Sequence, residues 1–258
     1  MKSKTFLCGA LLSVAACCGQ SAKETKGAMA QSSAPAKKLM VLTAEQTDPS
    51  RLLPAPAGNG SEAQQKELAA EKLLVKTRTQ QRFEQAKWDN AHESPEAFAA
   101  VLGTGFDLAK LPATAKLLAA VMNDQAIVAG TAKEFFHRAA PVVASSVGAT
   151  TYKDWTCDAN AKPPAEKSSR AYPSGHVTMG YALAVILSAL MPEKSQAILT
   201  RAADYAYSRE VCGDHYHSDI EAGHALGNSL GILLLNNTAL KPQMEAARTE
   251  LRAARLTN

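Results

Sequence analysis

The sequence predicts an all-α fold, on three observations. Leu- and Ala-rich stretches with charged residues at helical spacing recur along most of the chain. Aromatic residues are only 5% of it and strings of β-branched residues are few, so the composition favours helix over sheet. At 46% hydrophobic over 258 residues the chain can bury one sizeable core, which fits a compact single-domain helical bundle. No internal repeat is visible.

The first element is a targeting segment. Lys2 and Lys4 form a basic start, and residues 5–16 are a short apolar run, too short to span a bilayer. Val14-Ala15-Ala16-Cys17 resembles the bacterial lipoprotein signal, in which the cysteine is lipidated after cleavage, so residues 1–16 are expected to leave. Ala28-Met29-Ala30 offers an alternative cleavage after Ala30. Either route exports the protein from a bacterial cytoplasm, to the periplasm or to an outer membrane held through Cys17.

Residues 17–50 are rich in Ser, Ala, Lys, Gln and Pro and read as a flexible tether; residues 51–258 are expected to form the folded domain. A helical pattern runs from 61 to about 90, with Leu68, Leu73, Leu74 and Phe83 among charged residues. Ser94-Pro95-Glu96 reads as a helix start. Leu111-Pro112 opens a long helix expected to reach Arg138, with a break near Gly130. Residues 142–172, with Cys157 and Pro163-Pro164, read as a loop. Helices follow over 174–191, 193–207, 218–235 and 241–255, and the apolar runs at 181–191 and 229–235 are too short to span a bilayer.

Charge and cysteines narrow the partners. The net charge of +4 falls to +2 without Lys2 and Lys4, which points to no nucleic acid and to membrane contact only through the N-terminal lipid. Cys8 leaves with the signal and Cys17 and Cys18 sit at the processed end, so Cys157 and Cys212 remain in the fold. Outside the cytoplasm one disulfide is their simplest state, two buried thiols the alternative.

Two segments carry chemistry. The first, Ser208 to Asp219, reads S-R-E-V-C-G-D-H-Y-H-S-D. If a helix begins near His215, Asp219 lies four residues on and on the same face, where its carboxylate can fix the imidazole tautomer and leave the other nitrogen nucleophilic. His217 points elsewhere. A purely structural His215–Asp219 pair is the bland alternative. The second segment, Pro173-Ser174-Gly175-His176, enters an apolar helix whose free N–H groups make an anion cradle, with Ser174 adding a hydroxyl donor and His176 placed to protonate a leaving group. Alone, it is equally an ordinary helix start with a serine cap.

Together, P-S-G-H and S-R-x5-H-x3-D resemble the signature of the type 2 phosphatidic acid phosphatase superfamily, with Pro173, Ser174, Gly175, His176, Ser208, Arg209, His215 and Asp219 all in place. From about residue 50 onward, including R-L-L-P-A-P, K-E-F-F and V-C-G-x-H, the chain looks most like the exported class A non-specific acid phosphatases of bacteria. The resemblance implies an all-α fold of the acid phosphatase and vanadium haloperoxidase type. It also implies a phosphoric monoester hydrolase that needs no metal or other cofactor and acts through a phosphohistidine. His215 would be the nucleophile, Asp219 its orienting carboxylate and His176 the general acid, with Lys133, Ser174, Gly175 and Arg209 binding phosphate. Its partners would be small phosphorylated substrates and inorganic phosphate, and a homodimer is the assembly that the resemblance implies. A protonated His176 would suit mildly acidic pH.

One position departs from the family. Its first motif is Lys, six residues, then Arg-Pro; here Lys133 and Pro141 are kept and the arginine is Ala140. Losing that donor would cost roughly 2–4 kcal/mol of transition-state stabilisation. Arg138 and Arg170 are the two arginines placed to substitute, and Asp214 beside the nucleophile is tolerable only if turned away or paired. The competing readings are a member that binds phosphate or a phosphorylated ligand without turnover, a phosphatase for lipid-linked phosphates, and a vanadate-dependent haloperoxidase. His92, His137 and His224 have no visible partner and read as core or surface residues, as does Glu134.

Overall fold

The computed structural model describes residues 37–145, 155–158 and 169–258, and every regular element among them is helical. Helix α1 (Glu62–Thr77) begins where the Ser61 hydroxyl accepts from the Gln64 amide at 3.2 Å. The single helical stretch expected over 61–90 is two helices. The chain leaves helical geometry at Arg78, and the Thr79 hydroxyl caps α2 (Gln80–Ala91) through the Arg82 amide at 3.2 Å.

Helix α3 (Pro112–Phe136) starts on a proline, and Glu250 takes its first free amides, from Ala113 at 2.9 Å and Thr114 at 2.8 Å. It runs through Gly130 without the expected break, because one glycine costs only about 1 kcal/mol in a helix. It ends at His137, which takes up the left-handed conformation at φ 50°, so Arg138 lies beyond the helix. Helices α4 (Gly175–Leu190), α5 (Ser195–Val211), α6 (His217–Leu235) and α7 (Lys241–Ala253) complete the bundle.

Helix α4 is the central element. It packs against α6, α5 and α3 and buries Val177, Met179, Leu183, Ile186 and Leu187. Its approach to α6 is set by Gly223, Gly227 and Gly231, one per helical turn. A Cβ at these positions would stand 2.8 Å from Ser174 O, 2.6 Å from Thr178 O and 2.6 Å from Val185 Cβ. Only hydrogen fits there, and the result is that the N-terminal ends of α4 and α6 meet: the Ser174 amide donates to the Asp219 carbonyl at 3.0 Å.

Residues Lys37–Asn258 form one compact unit, so residues 37–50 belong to the fold and not to a tether. The cause is Asp124, fully buried in α3 and in need of donors. It accepts the amides of Met40, Val41 and Leu42 at 2.7, 2.9 and 2.8 Å, which pins this strip and buries Leu42. Cys17, both cleavage sites, Pro163 and Pro164 lie outside the described residues. No helix among the described residues is long and apolar enough to cross a membrane. Cys157 and Cys212 form a disulfide, with Cα atoms 5.1 Å apart, tied to the end of α5.

Candidate active site

The segment from Ser208 to Asp219 does not adopt the geometry expected of it. Helix α6 begins at His217, so His215 precedes the helix and shares no helical face with Asp219. Asp219 reaches back from the first turn instead, and its Oδ2 accepts the Tyr216 amide at 3.0 Å. That capping contact brings the same oxygen to 3.5 Å from His215 Nδ1, a loose contact because the oxygen is already in use. His217 is exposed and turned to Glu210, 2.9 Å away.

Behind Asp219 stands Arg138. Its side chain is fully buried, donates to Asp219 Oδ1 at 2.6 Å and to Ser218 Oγ at 2.6 Å, pairs with Glu67, and lies over the Tyr216 ring at 4.2 Å. Arg138 is therefore not a substitute phosphate ligand. The left-handed turn at His137 sends it inward, where a buried carboxylate claims it. Burial holds the His215 imidazole below its ordinary value, opposed by Asp219 and assisted by Lys133 and Arg209.

The second half of the site is a cradle at the start of α4. Ser174 occupies the N-cap position, yet its hydroxyl makes no capping bond; it is fully buried and has no partner among the described residues. Gly175 follows, with Lys133 Cε 3.6 Å from the place a Cβ would take. Lys133 Nζ donates to the Arg170 carbonyl at 2.5 Å. Burial lowers the Lys133 ammonium to about 8, with Asp219 and Glu93 opposing and Arg170 and Arg209 assisting. Arg170 thus brings its backbone to the cradle, but its guanidinium, half-exposed, pairs with Glu134. Ala140 is half-buried and precedes the single turn Pro141–Ala144.

Arg209, buried on α5, donates to Asn90 Oδ1 at 2.7 Å and to Asp214 Oδ2 at 2.6 Å, while its buried Nε has no partner among the described residues. Asp214 is accordingly paired, as its position requires, although burial still raises its carboxyl. His176 lies between these groups. Burial first, then Arg209 and His215, push its imidazole well below the ordinary value, against a hydrogen bond with the Asn90 backbone.

Four residues of this arrangement had no motif to mark them: Asn90 on Arg209, Glu67 on Arg138, Glu93 with Oε2 3.6 Å from His176 Nε2, and buried Glu71, raised to about 9 by burial and by Glu210, Asp214 and Asp219. Ser208, by contrast, is structural; its hydroxyl accepts from Arg82 Nη1 and Nη2 at 3.0 and 2.9 Å and bonds Asp89. His92 stacks on Trp88 and His224 on Tyr181, both apart from the site, and the His137 carbonyl accepts from Asn59 at 3.2 Å.

The arrangement has the chemistry to hold an anion: two buried donors without partners among the described residues, Ser174 Oγ and Arg209 Nε, stand with Lys133, and His215 beside Asp219 and a second histidine flank them. The PAP2 superfamily model matches residues 113–241, half of the chain and the part that carries every one of these groups except Asn90, Glu93, Glu67 and Glu71. An acid phosphatase of Zymomonas mobilis is 33% identical over 158 residues, 61% of this chain and 57% of its own. A non-specific acid phosphatase of Providencia stuartii is 30% identical over 155 residues, 60% of this chain and 59% of its own. A non-specific acid phosphatase of Salmonella typhimurium is 28% identical over 206 residues, 77% of this chain and 78% of its own. The match thus spans under two thirds of the length of the first two relatives. With the all-α fold and the paired motifs meeting at the ends of two helices, the chain belongs to the PAP2 superfamily.

Proposed function

We propose that the chain hydrolyses phosphate monoesters through a covalent phosphohistidine. The observation that carries this reading is that Ser174 Oγ and Arg209 Nε are among the buried polar atoms without a partner in the described residues, in a site that also holds His215 and Lys133. Buried polar atoms are rarely left unpaired, and an anion with several acceptor oxygens would satisfy both.

In this reading His215 Nδ1 is held toward Asp219, and Nε2 attacks phosphorus in line. The N–P bond forms as the ester P–O bond breaks, and His176 gives its proton to the departing oxygen. Asp219 offsets the positive charge gained by the His215 ring. Water then attacks the phosphohistidine with His176 as base, releasing inorganic phosphate and restoring both histidines. No step calls on a metal. Because nearby cations and burial disfavour protonated His176, the incoming phosphate itself supplies the negative charge that lets the ring carry a proton, and activity falls as pH rises. The substrates are small phosphorylated molecules met outside the cytoplasm, after export and anchoring at Cys17.

A second reading, phosphate binding without turnover, is favoured by Asp214, which occupies one face of Arg209, and by Ala140 where the family motif has arginine. One experiment separates the two: hydrolysis of p-nitrophenyl phosphate from about pH 4 to about pH 8 with a chelator present, for the natural chain, His215→Ala and Ala140→Arg. The first reading expects chelator-resistant activity, highest at acid pH and absent from His215→Ala. Activity that appears only in Ala140→Arg would establish the second.

A further inference from the structure

The position of Glu93 speaks to which phosphate esters the site takes, on the reading that it is a phosphatase. Glu93 lies just past the end of α2, with Oε2 3.6 Å from Nε2 of His176, the ring assigned to the leaving oxygen. It therefore stands on the side of the site where the alcohol part of a substrate emerges. Its side chain is 48% exposed, and His176 is the one ion-pair partner it has among the described residues. A carboxylate there faces both the ring and whatever the alcohol carries.

The charge balance of the cradle gives this carboxylate consequence. Lys133 and Arg209 are the cations that face the phosphate; Arg138 is spent on Asp219, Arg170 on Glu134, and Ala140 brings no charge. Arg209 already carries Asp214 at 2.6 Å. Burial raises the Glu93 carboxyl above its ordinary value and Arg209 and Lys133 oppose it, so when ionised it shares with phosphate the same two cations. An ester whose alcohol carries its own positive charge relieves that competition, because the charge sits against Glu93 while the phosphate keeps Lys133 and Arg209.

We infer that Glu93 is a specificity-determining residue and that the preferred substrates are phosphomonoesters of amino alcohols, with an ammonium group a few bonds from the ester oxygen. The chemistry is unchanged: the P–O bond breaks, water supplies the oxygen, and inorganic phosphate and the amino alcohol leave.

Phosphoethanolamine and propyl phosphate have the same heavy-atom skeleton and differ in the charge at its end, so they isolate the effect. Phosphate release from each is measured at about pH 6 for the natural chain and Glu93→Gln, with p-nitrophenyl phosphate as a common reference. The natural chain is expected to favour phosphoethanolamine in kcat/KM by roughly twofold to fivefold, the upper range of a half-exposed ion pair, and Glu93→Gln to bring that ratio to about one. A ratio near one in the natural chain, or an unchanged preference in Glu93→Gln, would overturn the inference. So would an equal loss on both esters, which would mean that Glu93 acts only through His176. Should none of the three esters be hydrolysed, the phosphatase reading fails by itself. Calorimetric binding of the same two esters then decides the inference: tighter phosphoethanolamine binding lost in Glu93→Gln supports it, and equal binding of the two overturns it.

Discussion

The two histidines of the site sit in opposite kinds of surroundings. On the His215 side the central carboxylate is fully engaged: Asp219 accepts from Arg138 and from the Tyr216 amide, and Arg138 reaches on to Glu67 and Ser218, although Arg138 Nε, Tyr216 Oη and His215 Nδ1 make no hydrogen bond among the described residues. On the His176 side Ser174 Oγ and Arg209 Nε are buried without partners among the described residues, and Glu93 is half open to solvent. A closed network holds one geometry, since each member is fixed by two others. Buried donors without partners carry a desolvation cost that only a ligand removes. On the proposed reading the first side orients and the second binds.

Breaking the closed side is expected to have the largest effect. Arg138→Ala leaves Asp219 as a buried carboxylate without its guanidinium and strips Glu67 of its partner, at a cost of about 3–5 kcal/mol in stability, and turnover is lost with the orientation of His215. Urea unfolding and p-nitrophenyl phosphate assays read the two effects, and Arg138→Lys should recover part of both. On the open side the signs separate. Ser174→Ala removes a hydroxyl that bonds nothing among the described residues, so the melting temperature should hardly move while kcat/KM falls about a hundredfold. A Ser174→Ala chain that melts early with normal activity would place the hydroxyl in the fold and not in the cradle.

The smallest effect concerns Glu71, buried beside the closed network and raised to about 9 from an ordinary 4.5. In the folded chain it keeps its proton through neutral pH, whereas in the unfolded chain it would lose it. The folded state therefore binds the extra proton, and the stability this carboxyl confers is full below about 4.5 and drains away as pH rises toward 9. Glu71→Gln, a neutral mimic of the protonated acid, should leave the melting temperature nearly unchanged at about pH 5 and raise it at about pH 8. Equal melting curves at both values would mean that Glu71 is ionised.

Much of this site was legible because its residues are paired in short segments: Ser174, Gly175 and His176 on one, Arg209, His215 and Asp219 on the other. The reason for the His215–Asp219 contact was not, since it comes from a helix cap and not from helical spacing. Arg138 was hidden by the left-handed residue that ends α3. A histidine in that conformation leaves no mark in the sequence, so Arg138 read as helical and available for phosphate. Glu93 falls between a helix end and Ser94-Pro95, where an acidic residue ordinarily means a solvated turn. Residues 37–50 lack periodicity because backbone amides hold them to Asp124, and Asp124 itself read as one more polar position on a helix. What escaped is what depends on contacts between segments far apart in the chain.

The central claim is that His215 carries the phosphoryl group. Its most direct test is acid-quenched mixing of the chain with p-nitrophenyl phosphate, followed at once by intact-mass and peptide mass spectrometry under conditions that keep phosphohistidine. The account predicts one added phosphoryl group, located on His215 and absent from His215→Ala. Steady hydrolysis with no phosphorylated enzyme at any quench time, or a phosphoryl group on another residue, would contradict it.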